Sequence, residues 1–265
     1  MRTIGSCSRI RLAKTMFLMG REGVLPGNFK FYGFVPYKFG PYSFELFHDI
    51  DWMIEKGMVF ANDVNVSFVA GDEAISDELS DAVYGFFERF DSFNDGALVD
   101  HVYDKYPEYT ILSKRPKCIY SRDRVGAFTT GYEGLSVDEF LTMLLGEKTQ
   151  VLADVRERPW SMKYGFTRST LERLCTNVGI EYISIPALGI PGEFRKELNS
   201  WQDYKELFDR FRPVIESKKD ELSRLCSITE HKRVAIMCFE RDPDYCHRKI
   251  VGEAISGLGA EVDIR

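Results

Sequence analysis

Short apolar runs and segments of helical periodicity alternate along the second half of the chain. The predicted strands cover residues 128–130, 151–156, 182–185 and 234–239, and the last of these has the apolar composition of a strand that is buried on both faces. Helical patterns lie between the runs and after the last one. The first begins at residue 136, the next two cover residues 169–178 and about 203–226, and the last begins at residue 246. A short run at 261–264 adds a fifth strand. This alternation predicts an α/β domain with a mostly parallel sheet flanked by helices.

The first half of the chain has a different pattern, which is mainly helical. Apolar residues recur at helical spacing over 8–20 and again after Pro41, a residue type that suits a first helical turn. Residues 64–69 then predict a strand that pairs across a hairpin with the apolar residues before it. Two helices followed by a hairpin predict a winged-helix-like domain.

A basic stretch with one proline, residues 113–126, separates the two patterns. Its composition is typical of a linker, and a contribution to an anion-binding surface is the alternative. We therefore predict a two-domain protein, with a mainly α, winged-helix-like domain over 1–112, a linker over 113–126 and the α/β domain over 127–265.

Composition and charge restrict the class of protein. The chain has 265 residues and a formal net charge of −6, which argues against a broadly basic nucleic-acid binder. No run approaches the roughly 18 apolar residues of a membrane span, and the N-terminus lacks the apolar core of a signal peptide. The six cysteines include no CxxC pair, which fits a reducing compartment. We expect a cytoplasmic protein without membrane contact.

The charge of the first domain is unevenly distributed. Residues 1–60 contain eight Lys and Arg against five Asp and Glu, whereas residues 61–112 are strongly acidic. A face that binds DNA phosphates could therefore exist only on the first part, and the acidic part would oppose it. A protein partner is at least as well supported as a nucleic acid.

Polar residues follow three of the predicted strands. Because the carboxyl ends of parallel strands meet at one edge of a sheet, where ligands bind in open α/β folds, we expect these residues to converge. They are Tyr132 and Glu133 after the first strand, Asp154, Arg156, Ser161 and Lys163 at and after the second, and Glu240, Cys246, His247 and Arg248 after the fourth.

The residue types in this set predict two kinds of role. Cys246 and His247 are a candidate nucleophile and base at the start of a helix capped by Asp242 or Asp244, and Glu240 and Glu133 are candidates for general acid–base catalysis. The candidates for substrate binding are Tyr132, Asp154, Arg156, Ser161, Lys163 and Arg248. Arg156 and Arg248 together could clamp a phosphate or a carboxylate.

Each of these roles has a structural alternative. Cys246 could be structural, Cys238 fits a packed thiol inside the apolar strand, and Arg248 could pair with Asp154 or Glu240 to hold the strand ends together. A zinc site would need Cys238, Cys246, His247 and a carboxylate such as Asp154, but neighbouring ligands on one helix point about 100° apart and no paired spacing supports the site. The sequence therefore predicts no metal site, and it indicates no cofactor.

The motifs of the second domain resemble a known family. TTGYEG, DVRERPWSMKYGF, YISIPALGIPG and MCFERDPDYCHR, in this order over about residues 127–258, are similar to the bacterial and archaeal family called domain of unknown function 488. The resemblance implies that the polar residues at the strand ends are motif positions, together with Gly131 and Pro159. The loop Leu188–Pro191 departs from the Leu-Gly-Gly usual there, so the resemblance implies no substrate contacts from it. The family implies a fold and a site but no established reaction.

The first domain has a resemblance of its own. The spelling YKFGPYS, followed by an amphipathic helix that ends in a Gly-Met-Val step, resembles the Panacea domain of some antitoxins and phage-associated proteins. The resemblance would extend over about residues 5–112.

Three functions are consistent with these patterns. The first is an enzyme or ligand-binding protein that handles a phosphate-bearing or nucleotide-like anion at the carboxyl edge of the sheet. The second is a non-catalytic regulator whose winged helix binds DNA or a protein partner. The third is a sulfur-transferring thiol enzyme that would carry a persulfide on Cys246 or Cys238.

Overall fold

The computed structural model describes residues 6–23, 31–62, 64–68, 76–194, 198 and 200–265. The chain divides into two compact units, residues 1–120 and residues 121–265. Among the helices of the described ranges, none has both the length and the apolar character that a membrane crossing requires.

The first unit combines helices with two small antiparallel sheets. Its elements are β1 (Cys7–Ser8), α1 (Arg9–Glu22), β2 (Val35–Tyr37), β3 (Gly40–Tyr42), α2 (Phe44–Glu55), β4 (Val59–Ala61), β5 (Asn65–Phe68), α3 (Asp77–Glu88) and α4 (Asp95–Lys105). One sheet has the order β1-β5-β4 and the other is the hairpin β2-β3. The hairpin predicted around residues 64–69 is confirmed, because β4 and β5 pair antiparallel.

The helix predicted near Pro41 begins a few residues later. Pro41 lies in β3, and α2 begins at Phe44 after Ser43, whose hydroxyl accepts a hydrogen bond from the Leu46 N–H. Serine is a preferred N-cap because its side chain satisfies a backbone donor that has no partner within the helix.

The second unit is an α/β fold, as the sequence predicted, and its sheet is fully parallel where a mostly parallel one was predicted. Its elements are β6 (Gly126–Gly131), α5 (Val137–Gly146), β7 (Val151–Asp154), α6 (Arg168–Asn177), β8 (Glu181–Ser184), α7 (Trp201–Glu216), α8 (Lys219–Thr229), β9 (Arg233–Cys238), α9 (Arg248–Gly257) and β10 (Val262–Asp263). The strand order is β10-β6-β9-β7-β8, and every pair is parallel. A capping box formed by Ser136 and Glu139 is present at the start of α5.

The long helix predicted over about 203–226 is wrong, because two helices occupy this region. The chain leaves α7 at Ser217, whose hydroxyl donates to the Val214 carbonyl at 2.6 Å, and Lys218 has a non-helical ψ of 54°. The buried residues Ile215 in α7 and Leu222 in α8 are seven positions apart, so the apolar period continues across the break. The apolar periodicity of the sequence therefore predicts one helix where the structure has two.

The stretch 113–126 spans the division between the two units. Ser113 is hydrogen bonded to Tyr103, and Lys117 forms an ion pair with Asp104 at 3.0 Å, both within the first unit. Arg122 donates to the Val178 carbonyl at 2.7 Å within the second unit. The two ends of the predicted linker are thus tied to different units.

Candidate functional site

The carboxyl ends of the three central strands β6, β9 and β7 border a cavity of about 400 Å³. The strand ends pack backbone against backbone here: the N–H groups of Tyr132 and Glu133 both donate to the Phe239 carbonyl. A Cβ atom on Gly131 would lie 1.8 Å from the Glu240 carbonyl oxygen, so only glycine fits at this position. The cavity is lined by Tyr132, Arg156, Glu157, Arg158, Trp160, Ser161, Gly192, Cys238, Phe239 and Glu240.

The expected convergence therefore holds for part of the predicted set. Tyr132, Arg156, Ser161 and Glu240 line the cavity, and together they represent all three of the predicted strand ends. The other candidates do not line it; they are Glu133, Asp154, Lys163, Cys246, His247 and Arg248.

Asp154 and Arg156 form a buried ion pair at the end of β7. Both side chains are at most 6 % exposed, and Nη2 of Arg156 lies 2.6 Å from Oδ2 of Asp154 while Nε lies 2.9 Å from Oδ1. Asp154 also accepts hydrogen bonds from the Arg156 N–H and from the Tyr182 hydroxyl. The structure thus assigns Asp154 to the support of its neighbours and not to the cavity surface.

The remaining donors of Arg156 are also used within the protein. Its Nη1 donates to the Tyr132 hydroxyl at 2.9 Å and to the Phe166 carbonyl at 3.0 Å, and the Tyr132 ring stacks on Phe166. Burial alone would lower the pKa of Arg156, but the hydrogen bond and charge of Asp154 raise it above its ordinary value. Burial also raises the pKa of Tyr182, and the charge of Asp154 adds to this effect. Arg156 is therefore a permanently charged group that is already neutralised by its partner.

A second polar group lies at the end of β9. The Cys238 Sγ atom is 3.3 Å from Oε2 of Glu240 and 3.6 Å from Nδ1 of His247, and Nε2 of His247 is 2.9 Å from the Val155 carbonyl. Cys246 belongs to the same cluster, since ligand atoms of Cys238, Cys246 and His247 all lie within 4.8 Å of one another. Cys238, Cys246 and His247 are buried.

Burial and neighbours shift two pKa values in this group in opposite directions. Burial raises the pKa of the Cys246 thiol well above its ordinary value, and the neighbouring Cys238 adds to the rise. Burial would also raise the pKa of Glu240, but hydrogen bonds from Cys246, from its own backbone and from Cys238 lower it below its ordinary value. Glu240 is thus ionised at neutral pH, whereas Cys246 is held as a thiol.

The helix expected to carry Cys246 and His247 starts later than predicted. Asp242 and Pro243 belong to a separate 3-10 turn, in which the Asp242 carboxylate accepts from the Asp244 N–H, and α9 begins only at Arg248. Cys246 has an extended backbone (φ −131°, ψ 133°) and precedes the helix. Cys246 therefore lies before the N-cap of α9 and not in its first turn, and the prediction of a thiol activated within a helix N-terminus loses that support. Cys238, predicted to be a packed strand thiol, is the last residue of β9 and is 1 % exposed, and it also borders the cavity.

Arg248 and Glu133 brace the loop after β9. Arg248 is fully buried, and its guanidinium donates to the carbonyls of Glu240, Arg241 and Arg265. Glu133 is exposed, and its carboxylate accepts from the Arg241 N–H at 2.9 Å. Neither the predicted anion clamp of Arg156 with Arg248 nor the alternative pairing of Arg248 with the carboxylate of Asp154 or Glu240 is formed. The partners of Arg248 are carbonyl oxygens, which have no signature in the sequence.

The segment after Arg156 supplies the outer wall of the cavity. Ser161 lines it and its Oγ accepts from the Lys163 N–H at 3.1 Å, whereas Lys163 Nζ lies 5.8 Å from the centre of the Phe166 ring. Arg158 and Trp160 also line the cavity, and the sequence analysis missed both. Their place between Arg156 and Ser161, inside one motif, was the signal that could have identified them.

One comparison with known proteins gives a match. Residues 136–255 match the family model described as "Domain of unknown function DUF488". The matched residues run from the N-cap of α5 into α9, so they include β7, β8 and β9 with their carboxyl ends. The match supports the resemblance of the second domain, and the family description states no reaction. Neither the curated proteins nor the solved structures gave a significant match.

Proposed function

We propose that the α/β unit binds a small phosphate-bearing or nucleotide-like anion in the cavity at the carboxyl edge of its sheet. The observation that carries the proposal is Arg158, an exposed guanidinium on the cavity wall. Within the described residues Arg158 makes no side-chain hydrogen bond or ion pair, in contrast to Arg156. Its donors are available to a ligand, and a planar guanidinium suits a phosphate or carboxylate group.

Aromatic side chains beside Arg158 favour a ligand that contains a ring. Trp160 is 68 % exposed and Phe239 is 44 % exposed, and both line the cavity with Ser161. Exposed aromatic rings next to a guanidinium are a common means of holding a planar base together with its phosphate. This composition supports a nucleotide-like ligand over a simple inorganic ion.

The cavity is not uniformly positive, and this limits how an anion would be recognised. Glu157 and Glu240 line it as well, and Asp154 neutralises Arg156. Binding would therefore depend on directed hydrogen bonds from Arg158 and Ser161 and not on a general positive field. Such hydrogen bonds to a charged group are worth about 1.5 to 3 kcal/mol each.

Replacing Arg158 by alanine is expected to weaken anion binding about 10- to 100-fold, which corresponds to the loss of one such hydrogen bond. Isothermal titration calorimetry with inorganic phosphate and a panel of nucleoside mono-, di- and triphosphates measures the change on the full chain. Arg158→Ala is a better test than Arg156→Ala, because removal of Arg156 would break a buried ion pair and disturb the fold.

Arg173→Ala is the matched control, since Arg173 is an exposed arginine on α6 that does not line the cavity. It should bind the same probes as the wild type does. Equal affinities of the wild type and Arg158→Ala, or no binding of any probe by the wild type, would reject the proposal.

A catalytic function at this site would rest mainly on Glu240. Of the four catalytic candidates it is the one that lines the cavity, and its lowered pKa keeps it ionised. An ionised carboxylate can accept a proton from a bound ligand, although a lowered pKa makes it a weak base. His247 and Cys246 are buried and do not line the cavity.

A regulator is the second proposal, with the first unit as a winged-helix-like interaction module. Support comes from the β4–β5 hairpin that follows α1 and α2, and from exposed apolar side chains at and beside the hairpin, namely Trp52, Met58, Phe60 and Val64. Exposed apolar side chains favour a protein partner, because DNA contacts rely on Lys and Arg.

Fluorescence anisotropy with a random-sequence DNA duplex at low salt tests the DNA form of this second proposal. If the module binds DNA, affinity should fall steeply with salt and should decrease in Lys38→Glu, since Lys38 is an exposed cation of the β2–β3 turn. Lys232→Glu, in the other unit, serves as a control for the change in net charge. If the wild type does not bind DNA at low salt, the DNA form of the proposal is rejected and the protein-partner form remains.

A further inference from the structure

Three side chains with metal-binding atoms meet behind the cavity wall. The ligand atoms of Cys238, Cys246 and His247 lie within 4.8 Å of one another, and each side chain is at most 2 % exposed. A fourth ligand type is adjacent, because Oε2 of Glu240 lies 3.3 Å from the Cys238 Sγ atom. Thiolate sulfur, imidazole nitrogen and carboxylate oxygen are all ligand types that zinc takes in proteins.

Two of the separations, both measured from Cys238, match the edges of a zinc tetrahedron. With Zn–S bonds of about 2.3 Å and Zn–N or Zn–O bonds of about 2.0 to 2.2 Å, a tetrahedral ion holds sulfur and nitrogen, or sulfur and oxygen, about 3.5 to 3.6 Å apart. Here Cys238 Sγ is 3.6 Å from His247 Nδ1 and 3.3 Å from Glu240 Oε2. These two separations already suit a shared ion, and Cys246 lies within 4.8 Å of Cys238 and His247, so Cys246 and Glu240 would have to move closer to complete the tetrahedron.

The imidazole of His247 is oriented as in a metal ligand. Its Nε2 lies 2.9 Å from the Val155 carbonyl oxygen, which can only accept, so this nitrogen carries a proton. In the neutral ring the Nδ1 atom then has a free lone pair, and it is Nδ1 that faces the sulfur of Cys238. Metal-binding histidines usually donate the other ring N–H to a carbonyl or carboxylate, which fixes the tautomer and the ring orientation.

The backbone explains how two adjacent residues can both contribute ligands. Cys246 is extended, whereas His247 has helical angles (φ −63°, ψ −18°). The change of conformation between them removes the 100° offset of neighbours on a helix, which was the objection to a zinc site in the sequence. Glu240 replaces Asp154 as the carboxylate, because Asp154 is bonded to Arg156 and Tyr182.

We propose that Cys238, Cys246, His247 and Glu240 bind one divalent metal ion, with zinc as the ion that fits best. Both thiols release their protons to solvent on binding, so the dication is held by two thiolates, a neutral imidazole and a carboxylate. Cys238 and Glu240 also line the cavity, which puts the ion beside it. The metal site does not depend on the anion binding proposed above, since none of its ligands is Arg158.

Metal titration of the full chain tests the site. Protein treated with a chelator and kept reduced should bind one equivalent of Zn²⁺, measured by competition with a chromophoric chelator and by elemental analysis. Co²⁺ used as a probe should give the intense visible bands of a tetrahedral ion together with a thiolate-to-cobalt charge-transfer band. The cobalt spectrum is measured on the wild-type protein, so this test does not depend on whether any variant folds.

Variants then assign the ligands. Cys238→Ser and Cys246→Ser should each lower zinc affinity by at least about 100-fold, and Glu240→Gln, which preserves volume, by about 10-fold with an altered cobalt spectrum. Cys226→Ser is the matched control, because Cys226 is a buried cysteine of α8 outside the cluster.

Three results would overturn the proposal. They are a cobalt complex without thiolate charge transfer, zinc affinities that are unchanged in both Cys238→Ser and Glu240→Gln, and an oxidisable Cys238–Cys246 pair that binds no metal when reduced. Arg158→Ala should retain full zinc affinity. Loss of nucleotide binding with intact zinc binding, or the reverse, separates the failure of one proposal from the failure of the other.

Discussion

Replacing Asp154 by alanine is expected to lower the free energy of unfolding of the α/β unit by about 3 to 5 kcal/mol, the usual cost of leaving a buried charge without its partner. Asp154 is fully buried, and it accepts from the backbone N–H, Nε and Nη2 of Arg156 and from the Tyr182 hydroxyl. Alanine would leave the Arg156 guanidinium charged inside the protein, because an arginine does not lose its proton in this pH range. Chemical denaturation followed by circular dichroism measures the change.

Two further variants separate the cost of a buried unpaired charge from the cost of losing an ion pair. Asp244 forms an exposed pair with Lys249 at 2.6 Å, the same distance as the Asp154–Arg156 pair, and Asp244→Ala should cost less than about 1 kcal/mol because water screens and solvates both charges. The double variant Asp154→Ala, Arg156→Met should be more stable than Asp154→Ala alone, since it removes the orphaned charge. Similar losses in Asp154→Ala and Asp244→Ala would contradict this account.

The convergence of the strand ends could be predicted from the sequence because it follows from topology alone. Once 126–131, 151–154 and 233–238 are parallel strands of one sheet, their carboxyl ends must share an edge. Tyr132, Arg156 and Glu240 therefore reach one cavity wherever the helices between them pack. The parallel sheet itself follows from the alternation of apolar runs with helical patterns.

The direction of each side chain at that edge could not be predicted in the same way. Asp154, Arg156 and Arg248 are all charged residues near strand ends, yet Asp154 and Arg248 point into the protein and satisfy an arginine and three carbonyls. Burial of a charge depends on which partner lies opposite in space, and backbone carbonyls are available everywhere along a sequence. Residue type alone therefore predicts more substrate-binding residues than the cavity contains.

The grouping of Cys238 with Cys246 and His247 was considered from the sequence and rejected for a related reason. The prediction assumed that Cys246 and His247 lie on one regular helix after the strand. A regular helix would direct these two side chains to different sides. The 3-10 turn at Pro243–Tyr245 and the extended Cys246 break that regularity and return the chain to the end of β9. Irregular turns of this kind follow from local packing, which periodicity does not report.

Lys14 is expected to make the first unit more stable as the pH rises from about 6 to 9. It lies in α1, is 2 % exposed, and donates to the Pro41 carbonyl at 2.8 Å. Burial lowers the pKa of Lys14 from 10.5 to about 7. Between this value and the unfolded value, the unfolded chain binds a proton that the folded chain does not, so the free energy of unfolding increases with pH.

The size of the effect follows from the same shift. From pH 6 to pH 9 the free energy of unfolding should rise by about 2 to 3 kcal/mol through this one group, and the gain should level off above the unfolded pKa near 10.4. Lys14→Met keeps the apolar stem and removes the charge, so it should abolish most of that rise. Loss of the hydrogen bond to Pro41 lowers stability equally at every pH, so it does not change the slope of the free energy of unfolding against pH.

Denaturant unfolding of the full chain at pH 6, 7.5 and 9 measures this slope. Lys56→Met, at an exposed lysine of the same unit, should leave the slope unchanged. An unchanged slope in Lys14→Met would mean that Lys14 stays protonated throughout, and the burial argument would fail.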